Sequence, residues 1–376
     1  MRQRRFGKTK LNLSSFSLGT MRCLEGYEIY RQTIEQAIAR GINHLETARA
    51  YGQSEMYLGR ALQDLGVVRQ NIYLTTKLTP TPDRRQMSQW LDESLTRLQT
   101  NYIDCLAIHG INTEEHLALA TNPDGCLAAI EEAMVRGKVR HIGFSTHGSP
   151  ELIMAAINTN LFEFINLHYY YFGQRNHRAI ALAAEKDLGI FIISPGDKGG
   201  MLYDPPTKLR QLCQPFAPLE LTYRWLLSDR RIATLSLGAA NPNELDIPLK
   251  VADADCSLTK DEQAVFAKIE SELANSLDTD LCRQCDRCLP CPAQINIPEV
   301  LRLRNLTIAY EMEDYGKYRY GMFENAGHWF PGMKANRCTD CGDCLPRCPE
   351  NLDIPSLLQD THQRLQGKKR RRLWSD

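Results

Sequence analysis

From residue 15 to about residue 250 the chain alternates between two patterns of apolar residues. The first is a short run rich in leucine or β-branched side chains, as expected of a strand buried on both faces. It occurs at "SFSLG" (15–19), "NHLE" (43–46), "IYLTTK" (72–77), "IDCLAIH" (103–109), "RHIGFS" (140–145), "FINLH" (164–168), "IFIIS" (190–194) and "ATLSLG" (233–238). The second is apolar recurrence at helical spacing. In "SEMYLGRALQDLG" (54–66), Met56, Leu58, Leu62 and Leu65 predict an inward face, and Gly66 predicts a C-terminal stop. "CLAAIEEAMVRGKV" (126–139) repeats the design, with Ala, Ile and Met inward and Gly137 after the last turn. Eight strand–helix units in roughly 235 residues predict a (β/α)8 barrel. The alternative, a doubly wound open sheet, requires a Gly-rich phosphate loop after an early strand. "TMRCLEG" after Gly19 has no GxGxxG pattern.

Beyond residue 250 the strand pattern stops. "SLTKDEQAVFAKIESELANS" (257–276) predicts one amphipathic helix, and "IPEVLRLRNLTIAYEMEDYGKYRYG" also reads helical. Two cysteine-dense stretches flank the latter, and the chain ends in the basic "GKKRRRLWSD", expected to be solvated. The expected organisation is a barrel over 1–255, a connecting helix over 256–279, a small, mainly helical domain over 280–358 and a basic tail over 359–376.

Composition narrows the functional classes. The 376 residues, 43% hydrophobic, suffice for one large domain and a small one. Lys plus Arg and Asp plus Glu both total 45, so no global field favours nucleic acid or an anionic membrane. No run of 18 apolar residues is present, and the basic N-terminus precedes no apolar signal core, so a cytoplasmic location is expected. Of the 13 cysteines, Cys23, Cys105, Cys126, Cys213 and Cys256 are scattered and read as small buried apolar residues. The rest cluster between residues 282 and 348, which in a chain of this length points to metal rather than disulfides.

Active sites of (β/α)8 barrels lie at the C-terminal ends of the strands. The second predicted strand ends at Glu46, with Tyr51 in the following loop. The third ends at Lys77, the fourth at His109, the fifth at Ser145 and Thr146, and the sixth near Asn166 and His168. A Lys paired with a carboxylate offsets the cost of burying either charge. A Lys beside a Tyr favours tyrosinate and lowers its pKa toward neutrality. With His109 to orient a carbonyl oxygen, these residues form a proton-transfer site for a carbonyl or an alcohol. None can supply a hydride, so a nicotinamide cofactor is required.

These stretches resemble the aldo/keto reductase family. "GINHLETARAYGQSEMYLGRAL" is similar to its signature Gly-x-Asn-x-x-Asp-Thr-Ala-x-x-Tyr-Gly-x-Ser-Glu. "TTKL" and "AIHG" resemble the segments carrying its catalytic Lys and His, and "GKVRHIGFST" resembles its Gly-Lys-x-Arg-x-x-Gly-x-Ser-Asn segment. The resemblance spans roughly residues 3–250. It implies Tyr51 as general acid, Lys77 depressing its pKa, His109 orienting the substrate, and Glu46 in the place of the family's Asp. It also implies NAD(P)H bound at the barrel mouth. Ser145, Thr146 (for the usual Asn) and Asn166 (for the usual Gln) would contact the carboxamide. Gly19 and Thr20 would lie at the cofactor, as would Ser194 and Lys198 of "SPGDKGGML" and Gly238 and Asn241 of "GAANPNEL". The family favours NADP, but the second stretch offers Asn241, Asn243 and Glu244 and no Arg or Lys before Lys250; a carboxylate facing the ribose would favour NAD.

The cysteine clusters are Cys282-x2-Cys285-x2-Cys288-x2-Cys291-Pro292 and Cys338-x2-Cys341-x2-Cys344-x3-Cys348-Pro349. Three cysteines at x2 spacing can hold three corners of a 4Fe–4S cube, and a fourth before Pro often ligates the other cube. Eight thiolates suit two such clusters. Zinc sites instead favour two Cys-x2-Cys pairs across a longer loop. The first motif is one residue short before Cys-Pro, which leaves Cys291 the least regular of the set. "INIPEVLR" and "LDIPSLLQ" each follow a Cys-Pro, a repeat that supports pseudo-symmetry and resembles α-helical two-cluster ferredoxin modules. Clusters carry single electrons whereas nicotinamide carries two together, and no flavin motif is present. Three readings follow: a carbonyl or alcohol oxidoreductase coupled to 4Fe–4S clusters and a redox protein partner, an iron–sulfur adaptor whose barrel binds a ligand or partner without hydride chemistry, and a zinc-stabilised reductase.

Overall fold

The computed structural model describes residues 1–254 and 257–368. Cys256 and residues 369–376 of the basic tail lie outside the described residues. The chain forms two compact units. The first contains Met1–Gly199 and Thr222–Ser257; the second contains Gly200–Leu221 and the chain from Leu258 onward.

The first unit is a closed barrel. It opens with a hairpin, β1 (Gln3–Arg5) and β2 (Asn12–Ser14), which the sequence pattern did not predict because strands of three residues show too little alternation. The barrel strands are β3 (Phe16–Gly19), β4 (His44–Glu46), β5 (Tyr73–Leu78), β6 (Ile103–Ile108), β7 (Val139–Ser145), β8 (Phe164–Leu167), β9 (Gly189–Ile192) and β10 (Thr234–Leu237). All pair in parallel, and β10 closes on β3. Their residues are almost all buried, as both faces of a helix-covered parallel sheet must be.

Phe6 and Leu13 of the hairpin region join Cys105, Ala107, Phe164, Phe191 and Ala233 in one apolar cluster. A polar set lies within the same barrel. The Ser17 hydroxyl bonds to His44 Nδ1 at 2.6 Å and to Thr234 Oγ1 at 2.7 Å, and His44 Nε2 bonds to Thr75 Oγ1 at 2.7 Å. Burial, with a smaller contribution from the charge of Lys77, pushes His44 down to about 3, so it is neutral. Side chains alternate along a strand, so the same inward face continues two residues further on with Gly19, Glu46, Lys77 and Ser236. The barrel thus carries its polar residues in steps toward the mouth.

The helix Ser54–Asp64 departs from its predicted face. Met56 is 46% exposed. The helix instead buries Glu55 along with Ser54, Leu58, Gly59, Ala61 and Leu62. Glu55 is tolerated inside because the Thr76 hydroxyl donates to it at 2.7 Å and Arg97 at 3.4 Å. Periodicity counts apolar residues and cannot see a carboxylate with buried partners. The helix Cys126–Val135 ends as predicted, with Gly137 at a φ of +72°.

The second unit is mainly helical: Thr207–Cys213, Lys260–Leu277, Ile297–Tyr310, Glu313–Tyr320 and Ile354–Leu365. Thr259 and Glu262 cap the second of these reciprocally. Residues 200–221, assigned to the barrel on sequence, group with this unit. Lys208 Nζ pairs with Glu272 at 2.7 Å, and Lys268 Nζ donates to the Gln211 carbonyl at 3.3 Å. The expected basic tail also begins later than residue 359. The last helix runs to Leu365 and buries Leu357, Leu358, Thr361 and Leu365, an apolar stripe that outweighs the surrounding charges.

Candidate active site

Glu46, Lys77 and His109 stand at the ends of three adjacent strands, and the turn after β4 brings Tyr51 beside them. The Tyr51 N–H donates to the Ala48 carbonyl at 3.0 Å, which holds that turn. All four are buried: Glu46 is 4% exposed, Lys77 1%, Tyr51 8% and His109 4%. Lys77 Nζ donates to the Tyr51 hydroxyl at 3.0 Å and to the Thr47 carbonyl at 2.9 Å, and it forms an ion pair with Glu46. The His109 ring meets the Tyr51 ring edge-on, with centroids 5.7 Å apart. Burial, and to a smaller degree the charge of Lys198, pulls Lys77 below the usual ammonium range; the Glu46 carboxylate in contact with Nζ acts the other way.

Two of the expected cofactor residues have structural work here. The Thr20 hydroxyl donates to the Glu46 carbonyl at 3.0 Å and bonds to Ser54 Oγ at 2.6 Å. Thr47 Oγ1 also reaches Ser54 Oγ, at 2.8 Å. A buried hydroxyl cluster therefore ties the end of β4 to the start of the next helix and frames the Tyr51 turn. At Gly19, a Cβ would stand 2.4 Å from Ser236 Oγ and 3.3 Å from Glu46 Oε2. The missing side chain leaves room for a glutamate where the family has the shorter Asp.

Asn166 lies opposite Ser145 in the β7–β8 register. Its side chain is fully buried, and neither Oδ1 nor Nδ2 has a hydrogen-bond partner. A buried amide with both donor and acceptor unmet suits a carboxamide, which offers the complementary pair. Ser145 Oγ accepts from Gly110 N at 3.0 Å. Thr146 is committed to backbone: its hydroxyl donates to the Ile111 carbonyl at 2.6 Å and accepts from Gly148 N at 3.0 Å. The residues present thus fit a nicotinamide through Asn166 more than through Thr146. Ser194, with φ +54°, accepts the Lys198 N–H at 3.1 Å. The side chain of Asn241 accepts from Asn243 N at 3.0 Å.

Sequence reasoning missed Arg22. It comes from the loop after β3, yet it donates to the Gly238 carbonyl at 2.6 Å and to both oxygens of Glu244 at 2.7 and 3.2 Å. Separation along the chain hid it; the adjacency of β3 and β10 in a closed barrel is the signal that points to it. His168 belongs to a hydrogen-bonded row. Tyr170 donates its proton to the Ile193 carbonyl at 2.6 Å, so its oxygen accepts from His168 Nδ1–H. That leaves His168 Nε2 as acceptor from His147 Nδ1, 3.0 Å away. His177 is exposed and reaches the Gln174 carbonyl at 3.3 Å.

In the second unit the cysteines sort by space rather than by order. Cys291 lines a cavity with Cys338, Cys341 and Cys344, walled by Ile297, Pro355 and Leu358. Burial raises the Cys344 thiol, and the charges of Cys338, Cys341 and Cys291 add to it. Burial pushes Cys282 up to about 11, with Cys285 and Cys348 adding, and Cys288 up to about 12, with Cys282 and Cys285 adding. Each triplet therefore has the fourth cysteine of the other motif beside it. The shorter spacing before Cys291 does not remove it from the set. Cys23, Cys105, Cys126 and Cys213 are buried free thiols, as expected of packing residues.

A profile of the aldo/keto reductase family matches residues 17–270. The chain belongs to the aldo/keto reductase family. It is accordingly an oxidoreductase of a family that uses NAD(P)H. A profile described as a 4Fe-4S dicluster domain matches residues 281–352. Among curated relatives, the uncharacterized oxidoreductase YqkF of Bacillus subtilis is 26% identical over 300 residues, covering 70% of this chain and 94% of that protein. Methylglyoxal reductase DkgB of Salmonella typhi is 28% identical over 153 residues, covering 40% of this chain and only 55% of DkgB. The aldo-keto reductase AKR11C1 from Bacillus halodurans, in its holo form, superposes with a TM-score of 0.63 at 23% identity, covering 71% of this chain and 96% of AKR11C1. That likeness bears on the fold. No helix among the described residues is long and apolar enough to cross a membrane.

Proposed function

We propose that this aldo/keto reductase interconverts a small carbonyl compound and its alcohol, with Tyr51 as general acid and base, and exchanges electrons through two 4Fe–4S clusters. The observation that carries the reading is the buried contact of Lys77 Nζ with both the Tyr51 hydroxyl and the Glu46 carboxylate. A cation 3.0 Å from the phenol stabilises tyrosinate, so Tyr51 can release a proton to a carbonyl oxygen and recover it from an alcohol. Glu46 keeps the charge on Lys77 balanced in a buried site. His109, against the Tyr51 ring, is placed to orient the same oxygen. Asn166 would hold the nicotinamide, which when bound supplies or accepts the hydride.

In the second unit, Cys282, Cys285, Cys288 and Cys348 would hold one cluster and Cys291, Cys338, Cys341 and Cys344 the other. Each would move one electron at a time, passing it to or from a redox protein. Two measurements on protein purified without oxygen test the reading. Iron and acid-labile sulfide in a ratio matching two clusters are expected; zinc without visible colour overturns the cluster part. Tyr51→Phe should lower turnover by about 10²–10⁴-fold with nucleotide still bound. Full activity in that variant overturns the acid–base role. If neither NADH nor NADPH binds the native protein, the barrel serves an iron–sulfur adaptor instead.

A further inference from the structure

The two cysteine motifs match residue for residue up to one insertion. Cys282 to Pro290 runs Cys-x2-Cys-x2-Cys-Leu-Pro, Cys338 to Pro346 runs the same way, and each then closes on Cys-Pro. The second motif carries one residue more before that last Cys, and the extra residue is Arg347. It has no counterpart in the first motif, so the pseudo-symmetry of the two is broken by a single charged side chain.

That side chain turns toward one set of cysteines. Arg347 Nε donates to the Asp343 carbonyl at 2.8 Å, and Nη2 donates to the Pro290 carbonyl at 3.0 Å. Asp343 immediately precedes Cys344, and Pro290 immediately precedes Cys291. Both carbonyls that hold the guanidinium therefore adjoin cysteines of the same foursome. Arg347 also lines the cavity that these two share with Cys338 and Cys341, and among the described residues lining it no other has a charged side chain. Asp340 and Asp343, the acids within the second motif, are not in that wall.

An iron–sulfur cluster on four thiolates is anionic, and reduction adds one more negative charge. Local charge and solvent exposure are among the factors that set its potential. A cation fixed in the wall favours the reduced form, and an apolar wall screens that attraction weakly. Arg347 is half-buried, so solvent screens it in part and the effect is modest. We infer that Arg347 raises the reduction potential of the cluster held by Cys291, Cys338, Cys341 and Cys344, and that the other cluster, without a residue at the matching position, is tuned independently of it. This rests on the reading above that each foursome of cysteines holds a 4Fe–4S cluster.

The test is a potentiometric titration of the full-length protein, purified without oxygen and reduced stepwise with dithionite. Electron paramagnetic resonance follows the reduced clusters, and iron and acid-labile sulfide are measured on every variant. Cys341→Ser alters or abolishes the signal of one cluster alone and so identifies it. Arg347→Gln should lower the potential of that cluster by about 59 mV, a tenfold change in its one-electron reduction equilibrium, and leave the other nearly unmoved. Arg347→Lys keeps the charge and loses the fork, so its potential should stay near the native value. If Arg347→Gln fails to hold both clusters, the Arg347→Lys variant decides. A near-native potential there supports the assignment. A potential near that of Arg347→Gln, or the same loss of iron, means that the bond to Pro290 merely seats Cys291, and overturns it. An unmoved potential in Arg347→Gln, or equal shifts of both clusters, also overturns it while the two-cluster reading stands. Native protein without iron overturns both.

Discussion

In the barrel, Glu46 with Tyr51, then Lys77, then His109 come from three successive strand ends separated by whole helices. In the second unit the reverse holds: eight cysteines at x2 and x3 spacing point to metal chemistry within a few residues. The interiors differ in the same sense. The barrel buries Phe6, Leu13, Phe164 and Phe191 in an apolar cluster. The second unit buries Arg302 and Arg304 beside their acids. Arg302 pairs with Glu299 at 2.6 Å, and Arg304 pairs with Asp280 at 3.0 Å and Asp360 at 2.7 Å. Of these acids Glu299 is buried, whereas Asp280 and Asp360 are 51% and 31% exposed; a buried pair such as Arg302–Glu299 adds little net stability compared with apolar packing. Each unit nevertheless has an apolar core: in the second, Phe266, Ile269, Val300, Leu303, Phe323 and Leu358 are buried.

Iron removal breaks this contrast most severely. On the proposal that its thiols hold clusters, chelation without oxygen should destabilise the helices of the second unit, because metal binding couples to folding. Nucleotide binding by the barrel should survive. Loss of both together, followed by circular dichroism and nucleotide titration, would show that the barrel lacks independent stability. Next in size is Lys77→Met. It strands Glu46 as a buried charge, which costs about 3–5 kcal/mol. Adding Glu46→Gln should recover most of that loss in urea unfolding; a double variant no better than the single would mean that the ion pair is not the source.

A smaller loss is expected from Gly19→Ala. The new methyl must displace Ser236 Oγ from 2.4 Å, and overpacking of this kind costs about 1–3 kcal/mol. Ser236→Ala in the same protein should relieve it. The smallest effect at neutral pH concerns His44. It is neutral when folded, down at about 3, against 6.5 when unfolded. Between those values the unfolded chain binds the extra proton, so stability rises with pH across the window and falls on acidification. His44→Asn should flatten that acid limb in unfolding curves at pH 7 and pH 5. An unchanged slope would mean that His44 is not the group responsible.

The barrel was legible because buried strands and amphipathic helices differ in period, and eight alternations leave few folds. The residues at its mouth were legible because a polar side chain closing an apolar strand is conspicuous. What escaped depends on closure and on buried partners. Arg22 reaches Glu244 only because β10 closes on β3. Glu55 replaces Met56 on the inner face only because Thr76 and Arg97 wait there. Thr146 is drawn to the backbone by a loop whose course no local pattern encodes. For the cysteines, spacing marks the candidate ligands, and the fold sorts Cys291 with Cys338, Cys341 and Cys344.

The placement of residues 200–221 in the second unit bears on how the protein is made. The ribosome delivers this segment before the final barrel strand Thr234–Leu237 and well before the helix Lys260–Leu277 that holds it. A helix as short as Thr207–Cys213 has no stability of its own in water. A nascent chain halted at Ser257 would therefore carry every barrel strand together with an unsupported loop, and Lys208 would find Glu272 only after the rest had been translated.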